Sequence, residues 1–168
     1  MIRAATAADG PALQEIEIAA GARFATVGLP EIAAHDPFSL DELDAYAAAG
    51  RSWVATGTDG AVVGYAVADV LDGNAHLEQV SVRPDAQGHG TGRALVDAVA
   101  AWARSQGHPA VTLTTFTDVE WNAPLYEHLG FRALSQAEIG PELAARVVEE
   151  TAFGLDPERR VCMWRDLR

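Results

Sequence analysis

His76 and Glu78 lie two positions apart in His76-Leu-Glu-Gln-Val-Ser-Val82, which reads as a strand entered from the turn Asp72-Gly73-Asn74 and ended by Pro84. Alternate strand residues share a face, so an imidazole and a carboxylate project to the same side, a pairing suited to taking and passing on protons. A little further on, Gln87-Gly-His-Gly-Thr-Gly92 lies between that strand and a long helix. Its glycines let successive backbone N–H groups point into one concavity at the positive end of a helix dipole, which is the chemistry of anion binding. A dinucleotide loop would need glycine or alanine where Arg93 stands, and a P-loop needs a lysine that is missing. The His-x-Glu pair lacks a third ligand for zinc, so no metal is expected. By itself the pair also has a plainer reading, a solvated strand carboxylate beside a turn histidine.

The elements that must position these groups can be read from periodicity and punctuation. Ile2 to Ala5 reads as a short strand, followed by a helix with Leu13, Ile16 and Ala20 on one face. The pattern breaks up from Gly21 to Phe38. It resumes at Ser39-Leu-Asp-Glu42, a capping box with Phe38 and Leu43 as its hydrophobic staple, and this second helix stops at Gly50. Residues 52–56, 62–68 and 76–82 predict an antiparallel meander, and 91–106 a helix with Leu95, Val99 and Trp102 inward. Then come a strand over 110–116, a short helix over 122–129, closing strands over 131–134 and 161–164, and a helix over 141–151 with Leu143 and Val147 inward. This is an α/β fold with a partly antiparallel sheet.

Composition narrows the function classes. At 168 residues the chain suits a single domain over 1–168, and its 49% hydrophobic and 21% charged residues are those of a globular protein. No apolar run approaches the ~20 residues needed to span a bilayer and no leader pattern opens the chain, so a cytoplasmic location is expected. Cys162 is the one cysteine, which excludes an intramolecular disulfide, and it reads as a buried hydrophobe rather than an acyl carrier. A formal net charge of -12 repels nucleic acid and anionic membranes and attracts protonated amines. All 12 basic residues are arginine, so lysine-based chemistry is excluded.

The segment from Val80 to Leu95 resembles the coenzyme A signature of the GNAT superfamily of N-acetyltransferases, Q/R-x-x-G-x-G/A, with Gln87, Gly90 and Gly92 filling the pattern. Downstream, Asn122 and Tyr126 in Asn-Ala-Pro-Leu-Tyr-Glu-His-Leu-Gly-Phe131 are similar to the family's second coenzyme-binding motif. The resemblance implies a GNAT fold, with a mixed, mostly antiparallel sheet splayed at its centre and flanked by helices. It implies acetyl-coenzyme A as co-substrate, with the backbone of Gly88, His89, Gly90, Thr91, Gly92 and Arg93 on the pyrophosphate. Val80 and Val82 would pair with the pantetheine arm, and Asn122 would touch that arm from the other side. It further implies Glu78 as base or relay assisted by His76, Tyr126 as proton donor to the thiolate, and the Val80 N–H on the oxyanion.

The expected acceptor is a small-molecule primary amine, held by segments 21–38 and 135–160, which carry Phe24, Glu31, His35, Asp36, Glu149 and Glu150. Acetylation of a protein N-terminus or lysine is the alternative within the same chemistry. An acyl-coenzyme A-binding regulatory module is the alternative outside it. The carboxylates also have a reading as a solvated face. A homodimer is compatible with the resemblance, and no residue selects its surface.

Overall fold

The spacing that predicts the first helix is the spacing the fold buries. In the computed structural model, which describes Met1–Arg168, Leu13 and Ile16 project from α1 (Gly10–Gly21) into a core with Leu43, Val54, Tyr65 and Val67. Leu43 belongs to α3 (Leu40–Ala48), Val54 to β2 (Ser52–Thr56), and Tyr65 and Val67 to β3 (Val62–Leu71). Each such side chain removed from water contributes about 1.5–3 kcal/mol. The capping box at α3 forms as expected: the Glu42 N–H donates to Ser39 Oγ (3.2 Å) and the Ser39 N–H to Glu42 Oε2 (2.8 Å). Phe38 packs against the cluster that contains Leu43 and meets the Tyr46 ring edge-on at 5.7 Å.

The strands form one sheet in the order β1-β2-β3-β4-β5-β7-β6, with β1 at Ile2–Ala4, β4 at Asn74–Val82, β5 at Ala110–Phe116, β6 at Arg132–Ala133 and β7 at Arg160–Asp166. The β1–β2, β2–β3, β5–β7 and β6–β7 pairs are antiparallel, and β4–β5 is parallel. Helices flank this mostly antiparallel sheet, as expected. The chain separates into two compact units, Met1–Ala68 with Gln79–Val99, and Asp69–Glu78 with Ala100–Arg168.

The first unit holds the core around Leu13. It also contains the short α2 (Pro30–Ala33) and the start of α4 (Thr91–Ser105). The segment 21–38, where regularity was expected to lapse, winds through a 3-10 stretch, Ala22–Val27, and then α2.

The second unit is built on the β5–β7 ladder, which runs from Ala110↔Asp166 to Phe116↔Arg160 and buries Val111, Leu113 and Met163. It also contains α5 (Ala123–His128) and α6 (Pro141–Ala152). β7 is longer than the expected 161–164 because β5 offers it a partner along its whole length. β6 is shorter because its ladder with β7 covers only Arg132↔Trp164 and Ala133↔Met163.

Two features of this unit position the chemistry. The β4–β5 ladder consists of Ala75↔Val111 and His76↔Thr112, so Leu77 and Glu78 lie past its last rung. The two residues joining β3 to β4, Asp72 (φ 51°) and Gly73 (φ 76°), are both left-handed, the requirement of a type I′ hairpin turn. Asp72 also supplies the missing cap of α6: its carboxylate accepts the N–H groups of Glu142 and Leu143 at 3.0 Å each. In return the Asp72 N–H donates to the Glu142 carboxylate.

Candidate active site

In the first unit the loop from Gln87 to Gly92 is fixed at its start and bare along its length. Gln87 Nε2 donates to the Val82 carbonyl (2.9 Å), and its Oε1 accepts from Arg23 Nη1 (2.9 Å). Gly88 (φ 78°) and Gly90 (φ 81°) are left-handed, which only glycine adopts without cost. Before the loop the Ala86 N–H bonds Arg83, and after it the Ala94 N–H bonds the Gly90 carbonyl. Between them the N–H groups from Gly88 to Arg93 find no acceptor in the protein.

Gly92 has ordinary helical φ, and a Cβ there would meet nothing closer than Val82 Cγ2 at 3.8 Å. The protein's own packing therefore gives no reason for glycine at 92, whereas a ligand seated against the backbone would. A row of unanswered donors at a helix N-terminus, kept clear of side chains, fits a diphosphate. Thr91 Oγ1 turns away to the Ala86 carbonyl (3.4 Å), while His89 and Arg93 are exposed. Val80 and Val82 are half-buried on β4.

In the second unit β4 carries His76 and Glu78 on one face, as alternation requires, and the structure brings them together. His76 is fully buried, and its Nε2 lies 3.4 Å from Glu78 Oε2. Its Nδ1 lies 2.9 Å from Thr112 Oγ1. Nε2 thus faces a carboxylate, which only accepts, and Nδ1 faces a hydroxyl, which can give or accept a hydrogen bond.

Glu78 has a second partner that sequence reading missed, the Arg146 guanidinium of α6, which also bonds Asp69 Oδ2 at 3.0 Å and Glu149 at 3.4 Å. Burial pushes the Glu78 carboxyl up, but the hydrogen bond and charge of His76 and those of Arg146 outweigh it and leave Glu78 below the usual carboxylate range. Arg146 is the one basic residue among the carboxylates of α6, a signal visible in the sequence without its destination.

Tyr126, on α5, is half-buried with its ring edge-on to Phe131 at 5.7 Å. Asn122 precedes α5. Its Oδ1 accepts from Thr115 Oγ1 (2.6 Å) and from the Phe116 N–H (3.3 Å), so the amide is clamped to the end of β5 with its NH2 pointing elsewhere.

Of the expected acceptor carboxylates, Glu149 and Glu150 are engaged by the protein's own arginines. Glu150 bonds Arg160 Nη2 (3.0 Å) and Thr114 Oγ1 (2.7 Å). Glu31, His35 and Asp36 are exposed. Cys162 is buried, and burial first, then the charge of Glu150, raises its thiol pKa, so it is held as a neutral thiol. A second buried carboxyl escaped sequence reading altogether: Glu17, on α1, accepts from the Tyr65 hydroxyl (2.6 Å) and the Phe38 N–H (3.2 Å).

No helix is long and apolar enough to cross a membrane. Residues 20–131 match the model of the acetyltransferase (GNAT) family. Similar solved structures include the Rv2747 protein of Mycobacterium tuberculosis in complex with coenzyme A, at 22% identity and TM-score 0.73, with 100% of this chain and 99% of that one covered. The PaiA N-acetyltransferase of Thermoplasma acidophilum, also in complex with coenzyme A, aligns at 14% identity and TM-score 0.74 over 99% and 98%. A GNAT-family acetyltransferase of Staphylococcus aureus aligns at 17% identity and TM-score 0.74 over 100% and 99%. These likenesses extend the fold to the whole chain, and with the family match covering most of its length, the chain belongs to the acetyltransferase (GNAT) family.

Proposed function

We propose that residues 1–168 form one acetyltransferase domain that transfers the acetyl group of acetyl-coenzyme A to a small-molecule primary amine by direct attack. The observation that carries this reading is the row of unanswered N–H groups from Gly88 to Arg93, on the loop that follows the strand bearing His76 and Glu78. Those amides hold the pyrophosphate. Val80 and the Val82 N–H pair with the pantetheine arm, since the Val82 carbonyl is taken by Gln87. The Asn122 NH2 reaches the same arm.

Acetyl-coenzyme A supplies an acetyl group activated as a thioester. An aliphatic ammonium, with an ordinary pKa near ~10, must lose two protons to become an amide. One leaves through the partly exposed Glu78 carboxylate, with the buried His76 assisting by holding it in place. The other passes by way of Tyr126, which gives its hydroxyl proton to the thiolate released as the C–S bond breaks and takes the amine's proton in return. A carboxylate held below its usual range is a weak base and a strong anion, so Glu78 orders and relays rather than retains the proton. The Val80 N–H faces the oxyanion of the tetrahedral intermediate.

The test is calorimetry with acetyl-coenzyme A, followed by thiol release against a panel of small primary amines and N-terminal peptides. Binding, with amine-stimulated release that Glu78→Gln and Tyr126→Phe each reduce at least about 100-fold, is the expected result. Stimulation by peptides alone moves the acceptor class to proteins. Binding with no turnover on any acceptor makes the chain a regulatory module, and absence of binding removes the reading of the loop.

A further inference from the structure

Glu78 lies past the last rung of the β4–β5 ladder and is largely buried, so something must fix its carboxylate and keep it charged. The neighbours that face it are His76 from β4, Arg146 from α6, and, through that guanidinium, Asp69 from β3 and Glu149 from α6. The nearby Glu150–Arg160 pair sits on Thr114 and balances its own charge. Arg146 is thus the permanent cation of the group, beside the His76 imidazole. It is brought there by a helix whose N-terminal N–H groups are capped by Asp72, in the same hairpin that carries Asp69 and Glu78.

We propose that Arg146 is a positioning residue: α6, hooked to the β3–β4 turn through Asp72, lays its guanidinium on the Glu78 carboxylate so that Glu78 stays an aimed anion that passes protons on. This inference rests on the reading of Glu78 as proton relay and adds a device for setting its charge. Asp69 shares Nη1 of Arg146 with Glu78, so it tunes the device by drawing part of the positive charge toward itself.

The experiment follows the 13Cδ resonance of Glu78 in 13C-glutamate-labelled protein, assigned by its loss in Glu78→Gln. Arg146→Met leaves burial opposed by His76 alone, and the titration midpoint is expected to rise by about one pH unit or more. Arg146→Lys is expected to restore most of the shift. Asp69→Asn is expected to move the midpoint the other way, which keeps the test alive should Arg146→Met fail to fold. A midpoint within a few tenths of wild type in the first variant, or unmoved in Asp69→Asn, overturns the proposal.

The catalytic consequence is read from the acid limb of kcat for thiol release, with acetyl-coenzyme A and a saturating primary amine. The limb should move to higher pH in Arg146→Met and return in Arg146→Lys, with KM for acetyl-coenzyme A little changed. If Glu78→Gln keeps full kcat, the relay reading fails while the resonance test still decides the coupling. If Glu78→Gln is inactive and the limb stays put in Arg146→Met, the relay stands and the role of Arg146 falls.

Discussion

Gly90 sits at φ 81° in open surroundings, so a methyl group there meets backbone strain rather than a neighbour. Gly90→Ala is expected to lower folding stability by about 1–2 kcal/mol, the cost of a left-handed alanine. Because the strained turn also aims the loop amides, acetyl-coenzyme A affinity should fall at least about tenfold, measured by calorimetry beside urea unfolding. Residues of this kind are legible in a sequence because the backbone needs them within a few positions of each other. Arg146 was not legible, since its partners Glu78 and Asp69 lie 68 and 77 positions away and only packing brings them together. The same holds for Glu17, whose hydroxyl partner Tyr65 is 48 positions distant.

At the scale of elements, the approach to α1 is held by Asp9. Its carboxylate accepts from both terminal guanidinium nitrogens of Arg3, Nη2 (2.8 Å) and Nη1 (2.9 Å), and from the Thr6 N–H (2.8 Å). The Arg3 hydrogen bonds and, against burial, the Thr6 N–H bring its carboxyl down to about 2. A depressed carboxyl stabilises the fold above its unfolded pKa, and that contribution is lost as pH falls from about 4 to about 2. Arg3 is 41% exposed, which trims the gain to about 1–2 kcal/mol. Asp9→Asn should be less stable than wild type by that amount at pH 7 and lose little more on acidification, as thermal unfolding at the two pH values would reveal. Elements with local signals were readable: the Ser39–Glu42 box and the strands Ser52–Thr56 and Ala110–Phe116 stand at the expected positions. The position of the edge strand β6 was readable too but its extent was not, because its length depends on how much of β7 is offered to it.

For the molecule as a whole, a net charge of -12 makes long-range attraction of cations a property of the surface field. With a monocationic amine, kcat/KM is expected to fall several-fold between about 20 and about 300 mM NaCl, and kcat to change little, because screening acts on encounter rather than on the bound complex. A stopped assay across that range separates the two. The cap that Asp72 lends to α6 has a consequence in time. A helix of 12 residues is marginal in water by itself, and the turn that caps this one is made long before residues 141–152 leave the ribosome. The finished hairpin is therefore the template on which α6 settles. A nascent chain stopped short of that point would carry the glycine loop, the paired histidine and glutamate, and the tyrosine, with the guanidinium that holds the glutamate still to come.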